Sequence, residues 1–361
     1  MRKARPMKLL KQLVGIKSLS GHEGPMADEV ESFLKLRGFS PKRWKNNVWA
    51  IKQGAISNAV KVKGTDNTHK ANAIQSKTIL FCSHLDTVET GAPAKAMANG
   101  KMLSGLGAVD AKASVAAMLE AFIVAKPKPG TNILIALTQE EETGGKGMPV
   151  MAAKLPAHAA AIVGEPTKMQ PCIAQKGLLI AKLTVAGKTA HASRPQQGKN
   201  AIMLLAEDIL RLQKLASGKL PSHPLLGKVT ITPTMMTGGS ARNVVPAHAE
   251  AILDIRTIPG AHQEILTLLN KTVKSTITPL SIRLVPKATA KTANIAKLAA
   301  KASGKRFISS TGMSDWAFLS CPAVKIGPGD PTLSHTKQER ISETEYKKAV
   351  KVYTAIMEEY T

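Results

Sequence analysis

Cysteine and long apolar runs are both scarce in this chain. Its three cysteines, Cys82, Cys172 and Cys321, are widely spaced and odd in number, which excludes a disulfide framework and is typical of a reducing cytoplasm. No stretch approaches the roughly 18 uninterrupted apolar residues of a membrane span. The basic N-terminus is followed by further lysines and not by an apolar core, so we expect no secretory leader. We therefore expect a globular, cytoplasmic protein without a membrane partner.

Acidic and aromatic residues are also few. The chain has 25 Asp and Glu against 50 Lys and Arg, a net charge of +25, and such a balance favours acidic partners. Aromatic residues make up only 3%, and the basic residues are spread along the chain, so we expect no nucleic-acid partner. An acidic protein partner and a merely solvated basic surface both stay open.

The acids and histidines that are present follow apolar runs. His84 and Asp86 come directly after Thr78 to Cys82, which reads as a buried strand. On an extended backbone both side chains point the same way, so His84 can bind a metal while Asp86 orients it. Ligands gather at the carboxyl ends of strands in open α/β sheets. Five further candidates follow other loops or apolar runs: Asp110, Glu140, Glu141, Glu165 and His335.

The chain is longer than one hydrophobic core usually serves, so two domains are expected. Strand and helix patterns alternate up to Lys176, and residues 54–76 read as a polar surface insertion. From Gly177 the order becomes βαββαβ, which is typical of a ferredoxin-like module. We predict an α/β fold in which a domain with a mostly parallel central sheet and helices on both faces is split by an inserted ferredoxin-like α+β domain. The predicted segments are 1–176, 177–287 and 288–361.

Seven short motifs are spread over nearly the whole chain. They are Ser83-His84-Leu85-Asp86-Thr87-Val88, Gly107-Ala108-Val109-Asp110-Ala111-Lys112, Glu140-Glu141-Glu142, Gly164-Glu165-Pro166-Thr167, His191-Ala192-Ser193, Arg242-Asn243-Val244-Val245-Pro246 and Ser334-His335-Thr336. In this combination they resemble the zinc-dependent amidohydrolases that include acetylornithine deacetylase, succinyl-diaminopimelate desuccinylase and related carboxypeptidases. One departure is Ala113, where that family usually has Gly.

The resemblance implies a site for two metal ions. Asp110 would bridge both metals, His84 and Glu165 would complete one, and Glu141 and His335 would complete the other. Imidazole and carboxylate ligands without a thiolate suit two zinc ions, with cobalt or manganese as substitutes.

The resemblance also implies roles outside the metal ligands. Asp86 would support His84, and Glu140 would be the general base. In the inserted domain, His191 and Asn243 would stabilise the oxyanion, with His191 reaching the partner subunit's site in a homodimer. Arg256 would bind a substrate α-carboxylate.

The resemblance further implies that a loop containing Gly312 and Ser314 lines the substrate pocket. The function we expect is a dinuclear metal-dependent deacylase of an N-acyl amino acid, most closely N-acetylornithine in arginine biosynthesis. Other substrates on the same fold are lysine or ornithine held on an acidic carrier protein, N-succinyl-diaminopimelate, N-succinylornithine and simple dipeptides. The non-enzyme alternative is a basic interaction module.

Overall fold

A computed structural model describes residues 7–55, 77–90, 97–99, 101–218 and 220–361, and of 97–99 only the backbone. The predicted insertion, 54–76, lies outside these residues from position 56 onward. The chain divides into two compact units. The sequence predicted one inserted segment, 177–287, as the second domain. Unit 1 comprises Met1–Ile173, Thr289–Ile308 and Ser314–Thr361, and unit 2 comprises Ala174–Ala288 and Ser309–Met313.

The described helices and strands follow in chain order. The α-helices are α1 (Lys8–Val14), α2 (Gly24–Lys35), α3 (Lys112–Val124), α4 (Gly147–Ala152), α5 (Ala201–Ser217), α6 (Glu264–Thr272), α7 (Asn294–Ser303) and α8 (Glu343–Glu359). The strands are β1 (Lys42–Trp44), β2 (Asn47–Gln53), β3 (Lys77–His84), β4 (Met97–Asn99), β5 (Met102–Ser104), β6 (Thr131–Thr138), β7 (Ala160–Val163), β8 (Cys172–Gln175), β9 (Gly177–Ala186), β10 (Ser222–His223), β11 (Gly227–Lys228), β12 (Thr230–Gly238), β13 (His248–Thr257), β14 (Thr276–Leu284), β15 (Lys287–Ala288), β16 (Ile308–Ser310), β17 (Ala323–Lys325) and β18 (Arg340–Ser342). Short 3₁₀ helices span Pro195–Gln197, Asp315–Phe318 and Pro331–Leu333.

The main sheet of unit 1 has the strand order β1-β2-β6-β3-β7-β17-β8. Its centre, β6-β3-β7-β17, is parallel, and antiparallel strands flank it on both sides. The predicted α/β class with a mostly parallel central sheet is therefore confirmed, with antiparallel strands confined to the margins.

Strand β3 lies inside this sheet because its residues are apolar on both faces. From Thr78 to His84 every side chain is buried, as expected for a parallel strand covered on both sides. Helix α3 is apolar nearly all round, is almost completely buried, and packs against β3, β6 and α8. It begins two residues after Asp110, so the packing of α3 also places the loop that carries this carboxylate.

The parallel strands bring the candidate ligands to one edge of the sheet. His84, the last residue of β3, pairs with Thr138, the last residue of β6, and Cys82 pairs with Val163 at the end of β7. The segments that continue from β6 and β7 therefore emerge beside His84. These segments carry the acidic triplet and Glu165.

Unit 2 has the predicted ferredoxin-like order. Its four-stranded antiparallel sheet runs β12-β13-β9-β14, and the chain order is β9-α5-β12-β13-α6-β14 with the short hairpin β10–β11 inserted. Alternate residues of β9 and β13 are buried and form a core with α5 and α6. Over the part of the chain that the structure describes, no helix is both long and apolar enough to cross a membrane.

Candidate metal centre

The imidazole of His84 is buried between two carboxylates. Its Nε2 lies 3.1 Å from Asp110 Oδ1, and its Nδ1 lies 3.0 Å from the backbone oxygen of Asp86 and 3.4 Å from Asp86 Oδ1. Contacts at Nδ1 fix the orientation of the ring and favour a proton there. Nε2 is then the nitrogen that can bind a metal ion.

The carboxylate of Asp86 is fully buried and holds the acidic loop as well as His84. It accepts hydrogen bonds from the Ser20 hydroxyl at 2.7 Å and from the backbone N–H groups of Glu141 and Glu142, each at 3.0 Å. Burial acts to raise the pKa of Asp86, but the hydrogen bonds and the His84 charge outweigh it, so the pKa lies below its ordinary value. Asp86 is therefore a fixed anion under the site.

Asp110 lies between two histidines and uses a different oxygen toward each. Oδ1 faces His84, and Oδ2 lies 3.5 Å from His335 Nε2. Its loop is held by Glu339, whose Oε2 accepts the N–H groups of Val109 at 3.0 Å and Asp110 at 3.2 Å. The Asp110–Ala111 peptide bond is cis. With one oxygen toward each histidine, Asp110 could be shared by two metal ions.

Two groups of potential ligands share Asp110. In each group the ligand atoms lie within 4.8 Å of one another. The first contains His84, Asp110 and Glu165, and the second contains Asp110, Glu142 and His335. The first was predicted from the sequence; the second has Glu142 where Glu141 was expected.

The acidic triplet is shifted by one residue relative to the sequence assignment. Glu142 Oε1 lies 2.8 Å from His335 Nε2, whereas Glu141 groups with His84 and Glu142. Glu140, the expected base, instead pairs with Lys146 at 2.9 Å. The cause is a left-handed residue: Glu140 has φ of 49°, a conformation that costs roughly 1–2 kcal/mol for a non-glycine residue. This turn sends Glu140 toward Lys146 and the next two side chains into the cluster.

Most of this chain matches a known protein family. Residues 80–359 match peptidase family M20/M25/M40. The chain belongs to this family. A relative from Aspergillus terreus, named a probable carboxypeptidase, is 32% identical over 281 residues, which are 73% of this chain and 63% of the relative. The chain thus spans less than two thirds of that relative's length.

Solved structures show the same M20 fold. Aminopeptidase PepT from Bacillus cereus has a TM-score of 0.78 at 18% identity, covering 96% of both chains. A dinuclear metal-binding peptidase of the M20 family from Bacillus subtilis has a TM-score of 0.71 at 14% identity, covering 97% of this chain and 96% of that one. Metal dependence is a property of the family, and the two ligand groups around Asp110 are consistent with it.

Three predicted site residues of unit 2, His191, Asn243 and Arg256, lie at two separate positions. His191 and Asn243 are neighbours, because the Asn243 backbone oxygen accepts the N–H of Ala192 at 2.9 Å. His191 is exposed, and its Nδ1 lies 2.8 Å from the Ser193 hydroxyl. Arg256 lies elsewhere, on β13, and its Nε and Nη2 donate to the two oxygens of Asp254 at 2.8 and 3.0 Å. Its guanidinium is therefore already paired with a carboxylate of the same strand.

The predicted pocket loop is divided between the units. Gly312 belongs to unit 2, and its N–H donates to the Ser310 hydroxyl at 3.1 Å. Ser314 belongs to unit 1, where it is buried and its hydroxyl accepts the N–H of Trp316 at 3.4 Å. Ser314 thus caps the 3₁₀ helix that follows it, and its predicted substrate contact stays a prediction.

Two buried carboxylates that hold the site loops were missed by sequence reasoning. Glu23 accepts the N–H of Glu140 at 3.0 Å. Glu339 supports Asp110 from 229 positions further along the chain. Because acidic residues are scarce in this chain, Glu23 could have been noticed in the sequence. No local pattern marks Glu339.

The cluster carries protons that a cation would displace. Burial, reinforced by the Asp110 charge, raises the pKa of Glu165 to about 8 although His84 opposes it. Burial also raises the pKa of Glu141 well above its ordinary range, and the hydrogen bond to Glu142 raises the pKa of His335 to about 9. Divalent cations favour the deprotonated ligands. The carboxylate and imidazole donors therefore fit two metal ions. These donor types suit zinc, cobalt or manganese.

Metal binding at pH 7 is expected to release protons. Glu165 and His335 have pKa values of about 8 and about 9, so both hold a proton at pH 7 and must lose it to become ligands. Apparent zinc affinity should rise as pH increases through that range, and proton release should diminish above it. Calorimetric titration of the metal-free protein with zinc, in two buffers of different ionisation enthalpy, measures the release. Binding at pH 7 without proton release would contradict this protonation scheme.

Proposed function

We propose that this M20 protein is a dinuclear metal-dependent hydrolase that cleaves the amide bond of a small N-acyl amino acid or short peptide. The observation that carries the proposal is the position of Asp110 between His84 and His335, with one oxygen toward each. This carboxylate links the two ligand groups, and Glu141 lies beside them.

The roles of the ligands follow from the two groups. His84, Asp110 and Glu165 would hold one ion, and Asp110, Glu142 and His335 would hold the other. Such a pair of bound cations supplies Lewis-acid polarisation of an amide carbonyl and lowers the pKa of water. Asp86 keeps the His84 ring oriented from behind.

Glu141 is the carboxylate we assign as general base. It has no place in either group that contains Asp110, yet a ligand atom of Glu141 lies within 4.8 Å of one from His84 and one from Glu142. The N–H of Glu141 is fixed by Asp86 at 3.0 Å. From this position its carboxylate would accept a proton from the attacking water and deliver it to the leaving nitrogen.

Two substrate classes have support. The motifs around Glu165 and His335 resemble acetylornithine deacetylases, which favours N-acetylornithine or a close analogue. The Aspergillus terreus relative is named a probable carboxypeptidase, which favours a peptide with a free C-terminal carboxylate. In both classes Arg256 would hold the substrate carboxylate. Because its guanidinium donates to both Asp254 oxygens, Arg256 would have to release Asp254 before it binds the substrate.

We further propose a homodimer through unit 2, in which His191 and Asn243 serve the partner's site. Support comes from the exposed edge strand β12, where Met235 and Met236 are 63% and 56% exposed. An unpaired strand edge with apolar side chains is a ready surface for pairing with a second chain.

Single amide substitutions distinguish the three acidic residues. Glu141→Gln should keep both ions and lose turnover by about 10²–10⁴-fold, as expected for a positioned base. Glu142→Gln should lose one of the two ions, because it ligates only the second. Glu140→Gln is the matched control and should keep metal and turnover, since its side chain pairs with Lys146. Metal analysis and kcat for the three variants test the assignment. A catalytic loss confined to Glu140→Gln would instead support Glu140 as the general base.

A substrate panel tests the proposed activity. We expect the zinc- or cobalt-loaded protein to hydrolyse at least one of N-acetylornithine, N-acetylcitrulline, N-succinylornithine, N-succinyl-diaminopimelate and simple dipeptides. For a small substrate, kcat/KM should change little with ionic strength, because the excess charge is screened beyond roughly 8–10 Å at physiological salt. A steep fall with salt on an acidic carrier protein, without turnover of any free compound, would favour the carrier as substrate.

Mixed dimers test the proposed assembly. Inactive His191→Ala and inactive Glu141→Gln proteins should regain activity when mixed, because one site of each mixed dimer then combines an intact Glu141 with an intact His191 from the partner. Subunit exchange must be followed independently, for example by mass-tagged chains. Exchange without recovery of activity would exclude the arrangement in trans.

A further inference from the structure

We propose that Glu23 is a positioning residue, whose buried carboxylate fixes the turn at Glu140 and so directs Glu141 and Glu142 into the metal centre. This proposal rests on the proposed function, because Glu141 is assigned there as the base and Glu142 as a metal ligand. The hydrogen bonds of the Glu23 carboxylate do not depend on which reaction the site performs.

The Glu23 carboxylate is completely buried and holds three donors from three parts of unit 1. Oε1 accepts the N–H of Gly21 at 2.8 Å and the N–H of Glu140 at 3.0 Å. Oε2 accepts from the side-chain amide of Asn46 at 3.0 Å. Three hydrogen bonds to one buried carboxylate fix its position.

Glu23 does not use this carboxylate for its own helix. It is the residue preceding α2, but its side chain makes no capping hydrogen bond there. A glutamate at this position is therefore not explained by the start of α2. The donors that it does hold lie in the turn before the helix, in the β1–β2 connection and in the acidic loop.

The β1–β2 connection reinforces the same turn. The N–H of Asn46 donates to Gln139 Oε1 at 2.9 Å, and Asn47 Oδ1 accepts the N–H of Gln139 at 3.1 Å. Through Asn46, Glu23 is thus connected to the residue before Glu140 as well as to Glu140 itself. This frame holds Glu140 in its left-handed conformation, with φ of 49°.

Three successive N–H groups of the acidic loop end on two buried carboxylates. The N–H of Glu140 is held by Glu23, and those of Glu141 and Glu142 are held by Asp86. Ser20, from the same turn as Gly21, donates to Asp86 at 2.7 Å. The segment 20–23 therefore supports the acidic loop directly through Glu23 and indirectly through Asp86. Loss of the Glu23 contact frees the first of the three groups, at the point where the chain changes direction.

Substitutions at Glu23 separate positioning from general stability. Glu23→Ala removes all three hydrogen bonds, and Glu23→Asp keeps the charge but is one methylene too short to reach all three donors. Both should lower kcat by about 10- to 100-fold through misplacement of Glu141, with little change in KM. Glu23→Gln should approach wild type, because an amide oxygen still accepts from Gly21 and Glu140 while the Asn46 amide can rotate. Glu29→Ala, on the same helix, is the matched control and should leave kcat unchanged.

Hydrogen exchange gives a readout that does not depend on activity. In metal-free protein, the amides of 139–142 should exchange faster in Glu23→Ala and Glu23→Asp than in wild type, Glu23→Gln or Glu29→Ala. Unchanged exchange in this segment, or a fall in melting temperature with normal kcat in metal-loaded protein, would overturn the proposal. If wild type hydrolysed no compound in the panel, the proposed function would fail, while the exchange comparison would still decide the role of Glu23. If Glu23→Ala does not fold, Glu23→Asp carries the test.

Discussion

The contact between the Asp86 carboxylate and the acidic loop ties the two halves of the candidate site together. Asp86 lies beside the His84 ring on one side and binds the N–H groups of Glu141 and Glu142 on the other. A buried carboxylate left without these donors, or donors left without the carboxylate, would each bear a desolvation cost of about 1–3 kcal/mol or more. The positions of His84, Glu141 and Glu142, the first and third proposed as ligands and the second as the base, therefore depend on one another.

The distribution of acids gives this contact its setting. The chain has half as many acidic as basic residues, yet carboxylates concentrate at one edge of the parallel sheet. Asp110, Glu142 and Glu165 face the two histidines, while Glu23, Asp86 and Glu339 lie behind them and accept backbone N–H groups. The outer set keeps the loops in place, and the inner set supplies carboxylates whose charge a bound cation would balance.

The sequence predicts much of this arrangement, because an apolar run followed by His, Asp or Glu indicates where a buried strand ends. The buried run before His84, the all-apolar α3 and the βαββαβ order each correspond to an observed element. The role of Glu142 could not be read in the same way, since the one-residue shift arises from the left-handed turn at Glu140. Strands β5 and β18 have three residues each and show no periodicity. Glu339 acts on a backbone group far away in the chain, which no local pattern reveals.

We propose that Asp110 binds two ions, one together with His84 and Glu165 and the other with Glu142 and His335. A crystal structure of the zinc-loaded protein, with anomalous data collected on both sides of the zinc absorption edge, tests it most directly. We expect two anomalous peaks flanking Asp110, with Glu142 coordinated and Glu141 uncoordinated beside them. A single peak, or a Glu141 carboxylate coordinated in place of Glu142, would contradict it.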